Sequence, residues 1–303
     1  MPQSDRIPCS HGDLLVDQPL ANYCSWRVGG SADRLFRPRD RESLVAFLKE
    51  LPAHEPVFWL GMGSNLLIRD QGIRGTVVNT RGRLNIMKIG ERGRVYAEAG
   101  VLGPHLARFC SAHSYCGAEF LTGVPGTLGG ALAMNAGAFD GETWTLIEEV
   151  STVNRAGRCQ TRNRDLFEIG YRHVSGPTGE YFLAAILKLE PGDGKKSRDT
   201  IKALLAKRAA TQPLNLPSCG SVFRNPPNDY AARLIEASGL KGYAIGGAQV
   251  SEKHANFIVN KNRARASDIE ALMQFVGDEV ERKQGIRLIL EVRIVGEPQL
   301  RAK

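Results

Sequence analysis

The feature that most limits what this chain can fold into is a glycine-rich stretch at residues 121–140. Its glycines are Gly123, Gly126, Gly129, Gly130 and Gly137, and few of its side chains exceed leucine in size. Glycine lets a backbone approach a ligand closely, and consecutive backbone N–H groups form a concave anion site. The stretch therefore predicts a loop that holds a pyrophosphate against the backbone. A buried turn rich in glycine and alanine is the open alternative.

A second small-residue loop favours the ligand interpretation. Residues 61–65 read Gly-Met-Gly-Ser-Asn and follow an apolar strand candidate at 57–60. A Rossmann fingerprint would need a third glycine where Leu66 stands, and residues 67–69 have a strand pattern rather than a helical one. The Gly-Lys-Ser/Thr of a P-loop is also missing. Together the two loops predict a dinucleotide bound in an extended pose between two lobes.

The composition limits the class of partner. The chain has 303 residues and a net charge of +8, but its lysines and arginines are scattered rather than gathered on one element. We therefore expect anionic small molecules and no nucleic acid.

The cysteines and the apolar runs indicate the cellular compartment in which the protein works. Six cysteines occur without a Cys-x-x-Cys pair or a histidine at zinc spacing, which predicts reduced thiols and no metal site. No secretory leader and no apolar run of membrane length is visible in the sequence. We expect a cytoplasmic protein without a membrane partner.

Periodicity gives a coarse plan of helices and strands. Residues 1–21 read as an irregular lead-in. Asp40 is a helix cap, and Pro104 opens a helix that runs to residue 114. Further helices are expected at 198–210, after a cap at Asn228 or Asp229, and after a capping box formed by Ser267 and Glu270. The other expected elements are strands at 57–60, 65–69, 75–79, 94–99, 147–154, 181–189 and 286–295, and a linker at 190–197.

Four polar groups stand out from apolar surroundings: the Tyr171-Arg172 pair, Ser221, Glu291 and His254. Ser221 lacks the Gly-x-Ser-x-Gly pattern of a nucleophile elbow, and a serine after glycine is most often a turn residue. A lone arginine is most often a surface ion-pair partner, and a lone histidine is most often structural. From the residues alone these groups are candidates without an assigned reaction.

Taken in order along the chain, these motifs resemble those of the UDP-N-acetylenolpyruvoylglucosamine reductases, also called UDP-N-acetylmuramate dehydrogenases. The resemblance runs from about residue 22 to residue 296. It rests on residues 28–32, 61–65, 123–130, 135–138, 171–172, 220–226, 251–257 and 291–293.

The resemblance implies an α+β fold. A two-lobed FAD-binding domain of the vanillyl-alcohol-oxidase (PCMH) type would span 22–192, with lobes at about 22–82 and 83–192. A linker helix and an α+β substrate-binding domain would follow at 193–303. The implied cofactor is FAD and the implied co-substrate is NADPH, and we expect a monomer. The implied FAD-binding residues are Gly61, Met62, Gly63, Ser64, Asn65 and Leu66 in the first loop, and Gly123, Val124, Pro125, Gly126, Thr127, Gly129, Gly130, Asn135, Ala136 and Gly137 in the second.

The resemblance also implies a reaction: the enolpyruvyl group of UDP-N-acetylglucosamine enolpyruvate is reduced to give UDP-N-acetylmuramate for peptidoglycan synthesis. The implied catalytic residues are Arg172 and Glu291, which stabilise an enolate, and Ser221, which donates a proton. A carboxylate beside an enolate is repulsive, so Glu291 should be protonated or bridged by Arg172 or water. The implied substrate-binding residues are Tyr171, Arg172, Arg224, Asn225 and His254.

The chain departs from the larger members of the family, which carry an inserted loop with a tyrosine that closes over the substrate. Only a short segment separates Leu189 from the helix expected at 198, so this chain resembles the shorter class. Two alternatives remain. An oxidase of the same fold would often tether its flavin through His or Cys near the pyrophosphate loop, and residues 121–140 contain neither, which predicts non-covalent FAD. A basic nucleotide- or nucleic-acid-binding protein would hold no flavin.

Overall fold

The computed structural model describes residues 6–298. The chain divides into two compact units, and both are discontinuous in sequence. Of the described residues, the first unit comprises 6–16, 34–62 and 75–208, and the second comprises 17–33, 63–74 and 209–298. The second unit thus includes two short segments from the N-terminal third of the chain. The domain bounds expected from the sequence stay a prediction.

The described residues form six α-helices. They are α1 (Arg41–Glu50), α2 (Gly103–Ala112), α3 (Leu128–Met134), α4 (Gly194–Thr211), α5 (Ala231–Ala237) and α6 (Ala266–Gln284). Asp40 caps α1 as predicted, because its carboxylate accepts the Ser43 N–H at 2.8 Å. Pro104 lies in the first turn of α2, also as predicted.

Twenty-one strands are assigned in the same residues. The first are β1 (Arg6–Ile7), β2 (Gly12–Pro19), β3 (Ser31–Pro38), β4 (Val57–Leu60), β5 (Leu66–Ile68), β6 (Ile73–Asn79), β7 (Met87–Ile89), β8 (Arg94–Glu98), β9 (Tyr115–Cys116), β10 (Gly137–Ala138) and β11 (Gly141–Glu142). The others are β12 (Ile147–Asn154), β13 (Cys159–Asn163), β14 (Glu168–Gly170), β15 (His173–Ser175), β16 (Glu180–Lys188), β17 (Glu190–Pro191), β18 (Ala244–Ile245), β19 (Ala248–Val250), β20 (Ile258–Asn260) and β21 (Arg293–Val295).

Most of two five-stranded sheets lies in the first unit. One is an antiparallel sheet with the strand order β13-β12-β16-β8-β7. The other has the order β1-β2-β3-β6-β4, in which β4 and β6 run parallel. Trp144 is fully buried in the larger core of this unit, and its indole N–H donates to the Leu132 carbonyl at 2.8 Å. In the smaller core, Phe36 stacks on Phe47 with 3.7 Å between ring centroids.

The second unit joins α5 and α6 to a three-stranded sheet of order β18-β19-β20 and to the parallel pair β21–β5. The buried face of α6 carries Ile269, Leu272, Met273, Val276 and Val280, which is the apolar face expected from the sequence. Burial of side chains of this size contributes about 1.5–3 kcal/mol each, so this face holds α6 in place. Gly285 ends the helix in a left-handed conformation with φ of 69°.

Two expected helix caps are wrong, because the caps come from other residues. The α6 N-terminus is capped by Asp70, whose carboxylate accepts the Ala266 and Ser267 N–H groups at 3.0 and 3.1 Å, and not by a box of Ser267 and Glu270. Asp268 adds a bond from the Arg265 N–H at 2.9 Å. Likewise α5 begins where the side-chain Oδ1 of Asn225 accepts the Ala231 N–H at 3.1 Å, rather than at Asn228 or Asp229.

Three other expected elements are also wrong. The irregular lead-in expected at 1–21 contains strands β1 and β2, which pair with each other. The linker expected at 190–197 contains β17, which pairs with β9, and the first residues of α4. Asp193 fixes that helix start, because its carboxylate accepts the Lys195 N–H at 2.7 Å. The long strand expected at 286–295 is reduced to β21 and an isolated bridge from Leu290 to Phe223.

Candidate functional site

The two predicted glycine-rich loops meet at one cavity in the first unit. The cavity has a volume of about 170 Å³ and is lined by Trp59, Leu60, Gly61, Thr80, Ala99, Thr127, Gly129, Gly130, Ala133, Glu180, Tyr181 and Phe182. Gly61 comes from the first loop, and Thr127, Gly129 and Gly130 come from the second. The loops touch there, since a Cβ at Gly61 would lie 2.3 Å from Thr127 Oγ1. The structure therefore brings the two stretches together as expected for loops that share a ligand.

The second stretch is more ordered than a plain loop. Helix α3 begins within it, and Thr127 caps that helix through a 3.4 Å bond from the Gly130 N–H. Several of its backbone N–H groups are already bonded within the protein. Gly126 donates to Val124, Leu128 donates to Val101 and Gly129 donates to Ala99, at 2.7–2.9 Å. Among residues 6–298, the N–H of Gly130 makes only its long bond to Thr127, so it is the best placed of these to bind an anion.

Most glycines of this stretch are explained by internal packing. A Cβ would lie 2.5 Å from a ring carbon of Phe139 at Gly123, 3.0 Å from Ala99 Cβ at Gly129, and 2.3 Å from the Gly141 carbonyl oxygen at Gly137. Gly130 differs, because a Cβ there would meet only Thr127 Oγ1, at 3.6 Å. Within the described residues, packing does not require glycine at position 130. A bare backbone that faces the cavity at this point fits the close approach of a dinucleotide.

An aromatic wall forms another side of the same cavity. Trp59 stacks on Tyr181 with 4.6 Å between ring centroids and an interplanar angle of 20°, and Phe182 lies beside them in the lining. The buried indole Nε1 of Trp59 has no hydrogen-bond partner among residues 6–298. Buried donors are nearly always paired, so a bound molecule with an acceptor would satisfy it. The sequence interpretation missed this wall, although an aromatic residue two positions before Gly61 could have signalled it.

The open position at Gly130 and the unpaired indole of Trp59 both fit FAD. A dinucleotide brings phosphate oxygens that suit bare backbone N–H groups, and polar and aromatic groups that suit an aromatic wall. Among the residues assigned to FAD, Met62 lies in the first unit with Gly61. Val124, Pro125 and Ala136 lie in the first unit with the second loop. These individual assignments stay predictions.

Arg172 lies at the tip of a tight hairpin in the first unit. Strands β14 and β15 pair through Gly170 and His173, so Tyr171 and Arg172 form the connecting turn. Arg172 takes a left-handed conformation with φ of 53°. Its guanidinium donates to the Asn135 carbonyl at 3.4 Å and to the Gly137 carbonyl at 3.0 Å. It also lies 4.9 Å from the centre of the Tyr171 ring. The glycine-rich stretch thus holds the predicted catalytic arginine.

The rest of the first loop belongs to the second unit. Gly63 has a φ of 64°, and a Cβ there would lie 2.1 Å from the Tyr23 carbonyl oxygen, so only glycine fits. Beyond Ser64, Asn65 donates through Nδ2 to the Glu291 carbonyl at 3.0 Å. Leu66 begins β5, which pairs in parallel with β21. A predicted cofactor residue and a predicted catalytic residue are therefore joined directly in this unit.

Ser221 lies next in sequence to a residue of the second unit that is hydrogen-bonded to Glu291. The Glu291 N–H donates to the carbonyl of Val222, the residue after Ser221, at 2.8 Å. Asn256 holds the backbone of Phe223, the residue after Val222. Its side chain accepts the Phe223 N–H at 2.9 Å and donates to the Phe223 carbonyl at 2.8 Å. Ser221 and Glu291 are both half-buried. Arg172 belongs to the first unit and these two residues belong to the second.

The three predicted substrate-binding residues of the second unit differ in how far the protein already uses them. Asn225 is exposed, and its side-chain oxygen caps α5. Arg224 Nε and His254 Nδ1 are buried without a hydrogen-bond partner among residues 6–298. Burial lowers the pKa of His254 below its ordinary value, so its imidazole is neutral near pH 7. Arg224 and His254 therefore have polar atoms that a ligand could satisfy.

The remaining candidate groups are the six cysteines and the side chains that could bind a metal ion. All six cysteines are free thiols, and burial raises the pKa of Cys110 to about 12. Residues 6–298 contain no group of three or more His, Cys, Asp or Glu side chains placed to hold a metal ion. No helix in that range is both long enough and apolar enough to cross a membrane.

Comparison with known proteins identifies both halves of the chain. Residues 32–162 match the family described as FAD binding domain, and residues 212–295 match the C-terminal domain of UDP-N-acetylenolpyruvoylglucosamine reductase. The chain is 61% identical to the UDP-N-acetylenolpyruvoylglucosamine reductase of Methylococcus capsulatus over 96% of its own length and 95% of that protein. It is 57% identical to the enzyme of that name from Alkalilimnicola ehrlichii, over 95% and 96% of the two chains.

A solved structure agrees with these matches. The crystal structure of the UDP-N-acetylenolpyruvylglucosamine reductase from Thermus caldophilus is 30% identical to this chain. It superposes with a TM-score of 0.79 over 96% of this chain and 98% of that one. These findings confirm the fold class expected from the sequence, an FAD-binding domain combined with a C-terminal α+β domain.

Proposed function

Because the chain belongs to the UDP-N-acetylenolpyruvoylglucosamine reductase family, we propose that it reduces the enolpyruvyl group of UDP-N-acetylglucosamine enolpyruvate to give UDP-N-acetylmuramate. The chain is an FAD-containing oxidoreductase. The observation that carries the proposal is the single cavity shared by Gly61, Thr127 and Gly130, with its unpaired indole N–H. The product is a precursor of peptidoglycan, which gives the reaction its place in cell-wall synthesis.

When bound, FAD would supply hydride transfer between NADPH and the terminal vinyl carbon of the substrate. The backbone at Gly130 and the wall formed by Trp59 and Tyr181 would hold the dinucleotide. Glycine at position 61 lets the two loops approach each other, since a Cβ there would clash with Thr127 Oγ1. Those features support non-covalent binding, since the stretch from Leu121 to Asp140 offers neither histidine nor cysteine.

Arg172 is the proposed stabiliser of negative charge. Hydride addition leaves charge that spreads into the substrate carboxylate as an enolate, and a guanidinium offers several N–H donors to such an oxyanion. The two carbonyl contacts of Arg172 supply a defined direction for the guanidinium before substrate arrives. Such preorganisation lowers the reorganisation needed in the transition state.

Ser221 is the proposed proton donor and Glu291 the second stabilising group. The hydroxyl of Ser221 gives a proton to the carbon that becomes the new stereocentre. An alcohol is a weak acid, but an enolate carbon is basic enough to accept its proton. The Glu291 N–H bonds to the carbonyl of Val222, the residue after Ser221, which supports this pairing of roles. Tyr171, Arg224, Asn225 and His254 are proposed to bind the UDP-sugar.

We further propose NADPH as reductant, a monomeric protein and a cytoplasmic location, with the FAD-binding domain at 22–192 and the C-terminal domain at 193–303. The family supports the choice of substrates.

A turnover assay tests the function. NADPH consumption should depend on the enolpyruvyl sugar, and mass spectrometry should show that the sugar has gained two hydrogen atoms. Consumption that depends on oxygen instead would favour the oxidase alternative.

A further inference from the structure

Asn135 has a conformation and a set of contacts that a loop residue facing a cofactor would not need. It is 1% exposed and caps the C-terminal end of α3 with φ of 46° and ψ of 54°. Its side chain makes three hydrogen bonds inside the first unit. Nδ2 donates to Glu142 Oε2 at 2.9 Å and to the Gly170 carbonyl at 3.1 Å. Oδ1 accepts the Trp144 N–H at 3.1 Å.

These partners fix the orientation of the amide. A carboxylate and a carbonyl can only accept hydrogen bonds, and a backbone N–H can only donate one. Exchanging the oxygen and nitrogen of Asn135 would set like groups against each other at all three contacts. Both N–H donors of the amide are used within the protein, so it has none left to offer a cofactor.

Asn135 contacts the arginine hairpin at two places. Through Nδ2 it binds the carbonyl of Gly170, which ends β14 next to the Tyr171–Arg172 turn. Through its own carbonyl it accepts the Arg172 guanidinium. The second guanidinium contact goes to the carbonyl of Gly137, which pairs with Glu142 in the β10–β11 hairpin. Asn135 therefore contacts both the strand end that leads into the Arg172 turn and the guanidinium itself.

We propose that Asn135 is a positioning residue that sets the place of Arg172 for reduction of the enolpyruvyl group, rather than an FAD ligand. The inference rests on the proposed function of Arg172. The buried amide joins the end of α3, the β10–β11 hairpin and the arginine hairpin. Moving any of them would move the guanidinium. A displacement of about 1 Å at a catalytic group can cost about 10²-fold in rate.

The test variant is Asn135→Gly, because glycine keeps the left-handed backbone and removes only the side chain. We expect reoxidation of reduced flavin by the enolpyruvyl sugar to slow about 10- to 100-fold. FAD affinity, measured on the apoprotein, and flavin reduction by NADPH should stay within about twofold. The conservative Glu142→Gln, which keeps an oxygen acceptor for Nδ2, should keep most of the rate.

A double-mutant cycle distinguishes positioning from an independent role. If Asn135 acts through Arg172, Asn135→Gly should cost nothing further in an Arg172→Ala background. The control is Asn154→Ala, which removes two side-chain hydrogen bonds from backbone N–H groups elsewhere in the first unit and should leave both half-reactions unchanged.

Three results would overturn the proposal. Weaker FAD binding with normal reoxidation would make Asn135 a cofactor residue. If the rate losses of Asn135→Gly and Arg172→Ala multiply in the double variant, Asn135 acts independently of Arg172. If Arg172→Ala reoxidises at the normal rate, the role proposed for Arg172 fails first and the positioning role fails with it.

Discussion

Gly130 gives the sharpest prediction about the cofactor site, because the protein itself does not need a glycine there. The residue lies in the first turn of α3, and a Cβ would meet only Thr127 Oγ1, at an ordinary contact distance of 3.6 Å. Glycine in a helix is less stable than alanine by roughly 0.5–1 kcal/mol. Gly130→Ala should therefore stabilise the apoprotein by up to about that amount, which urea unfolding can measure.

The same substitution should weaken FAD binding. The added methyl faces the cavity, where we propose that the Gly130 N–H binds the pyrophosphate. A hydrogen bond to a charged group contributes about 1.5–3 kcal/mol, and about 1.4 kcal/mol corresponds to a factor of ten in affinity. Loss of one such bond predicts a Kd for FAD that rises roughly 10- to 150-fold in a fluorescence titration of the apoprotein.

Gly277→Ala is the matched control. Gly277 lies within α6, and a Cβ there would meet only a ring carbon of Phe223, at 3.9 Å. It should raise stability in the same way and leave FAD affinity unchanged. Unaltered FAD affinity in Gly130→Ala would refute the claim that the cofactor approaches the backbone at this point. Loss of apoprotein stability in Gly130→Ala would refute the packing argument.

Three further predictions concern other residues. Ser221→Ala should keep flavin reduction by NADPH while turnover of the enolpyruvyl sugar falls by about 10²–10⁴; a near-normal turnover number would remove Ser221 from the reaction. Trp59→Phe keeps an aromatic ring but removes the unpaired indole N–H, so FAD affinity should fall about 3- to 10-fold if the cofactor accepts that bond, and equal titration curves would contradict this. His254 has a folded-state pKa below the unfolded value of 6.5 because it is buried. Unfolding therefore takes up a proton below that pH, and stability falls as pH drops. Urea unfolding at about pH 8 and about pH 5 should show a smaller pH effect in His254→Asn, and an equal effect would exclude His254 as its source.

The local parts of the fold could be predicted from the sequence. Strands β4 and β12 have the predicted bounds, since an apolar run ended by a glycine or a turn defines a strand without outside help. The same holds for the Asp40 cap, whose partner Ser43 is three residues away. The apolar face of α6 follows from a 3.6-residue period alone.

The parts that failed depend on partners distant in sequence. The residue that caps α6 is Asp70, 196 positions before its partner Ala266. Residues 286–292 alternate like a strand, but they have only one isolated bridge, from Leu290 to Phe223, so the alternation does not make a ladder. A capping pattern or an alternation read locally carries no information about such partners.

The candidate site likewise has features that the sequence predicts and features that it does not. Two glycine-rich loops can be recognised in sequence, and their glycines predict close approach. Which glycine faces the ligand cannot be read from composition, because Gly61, Gly123 and Gly137 are required by neighbouring side chains and backbone. The bonds of Asn135 to Glu142 and Gly170 are equally invisible in the sequence, since they depend on a left-handed turn and two hairpins.

The central claim is that this chain carries FAD between NADPH and an enolpyruvyl sugar. The most direct measurement is a visible absorption spectrum of the purified protein under anaerobic conditions. The account predicts flavin bands that bleach with NADPH and return when UDP-N-acetylglucosamine enolpyruvate is added. Bands that return only with oxygen would contradict it in favour of an oxidase. A colourless protein that FAD cannot reconstitute would contradict it at the cofactor itself.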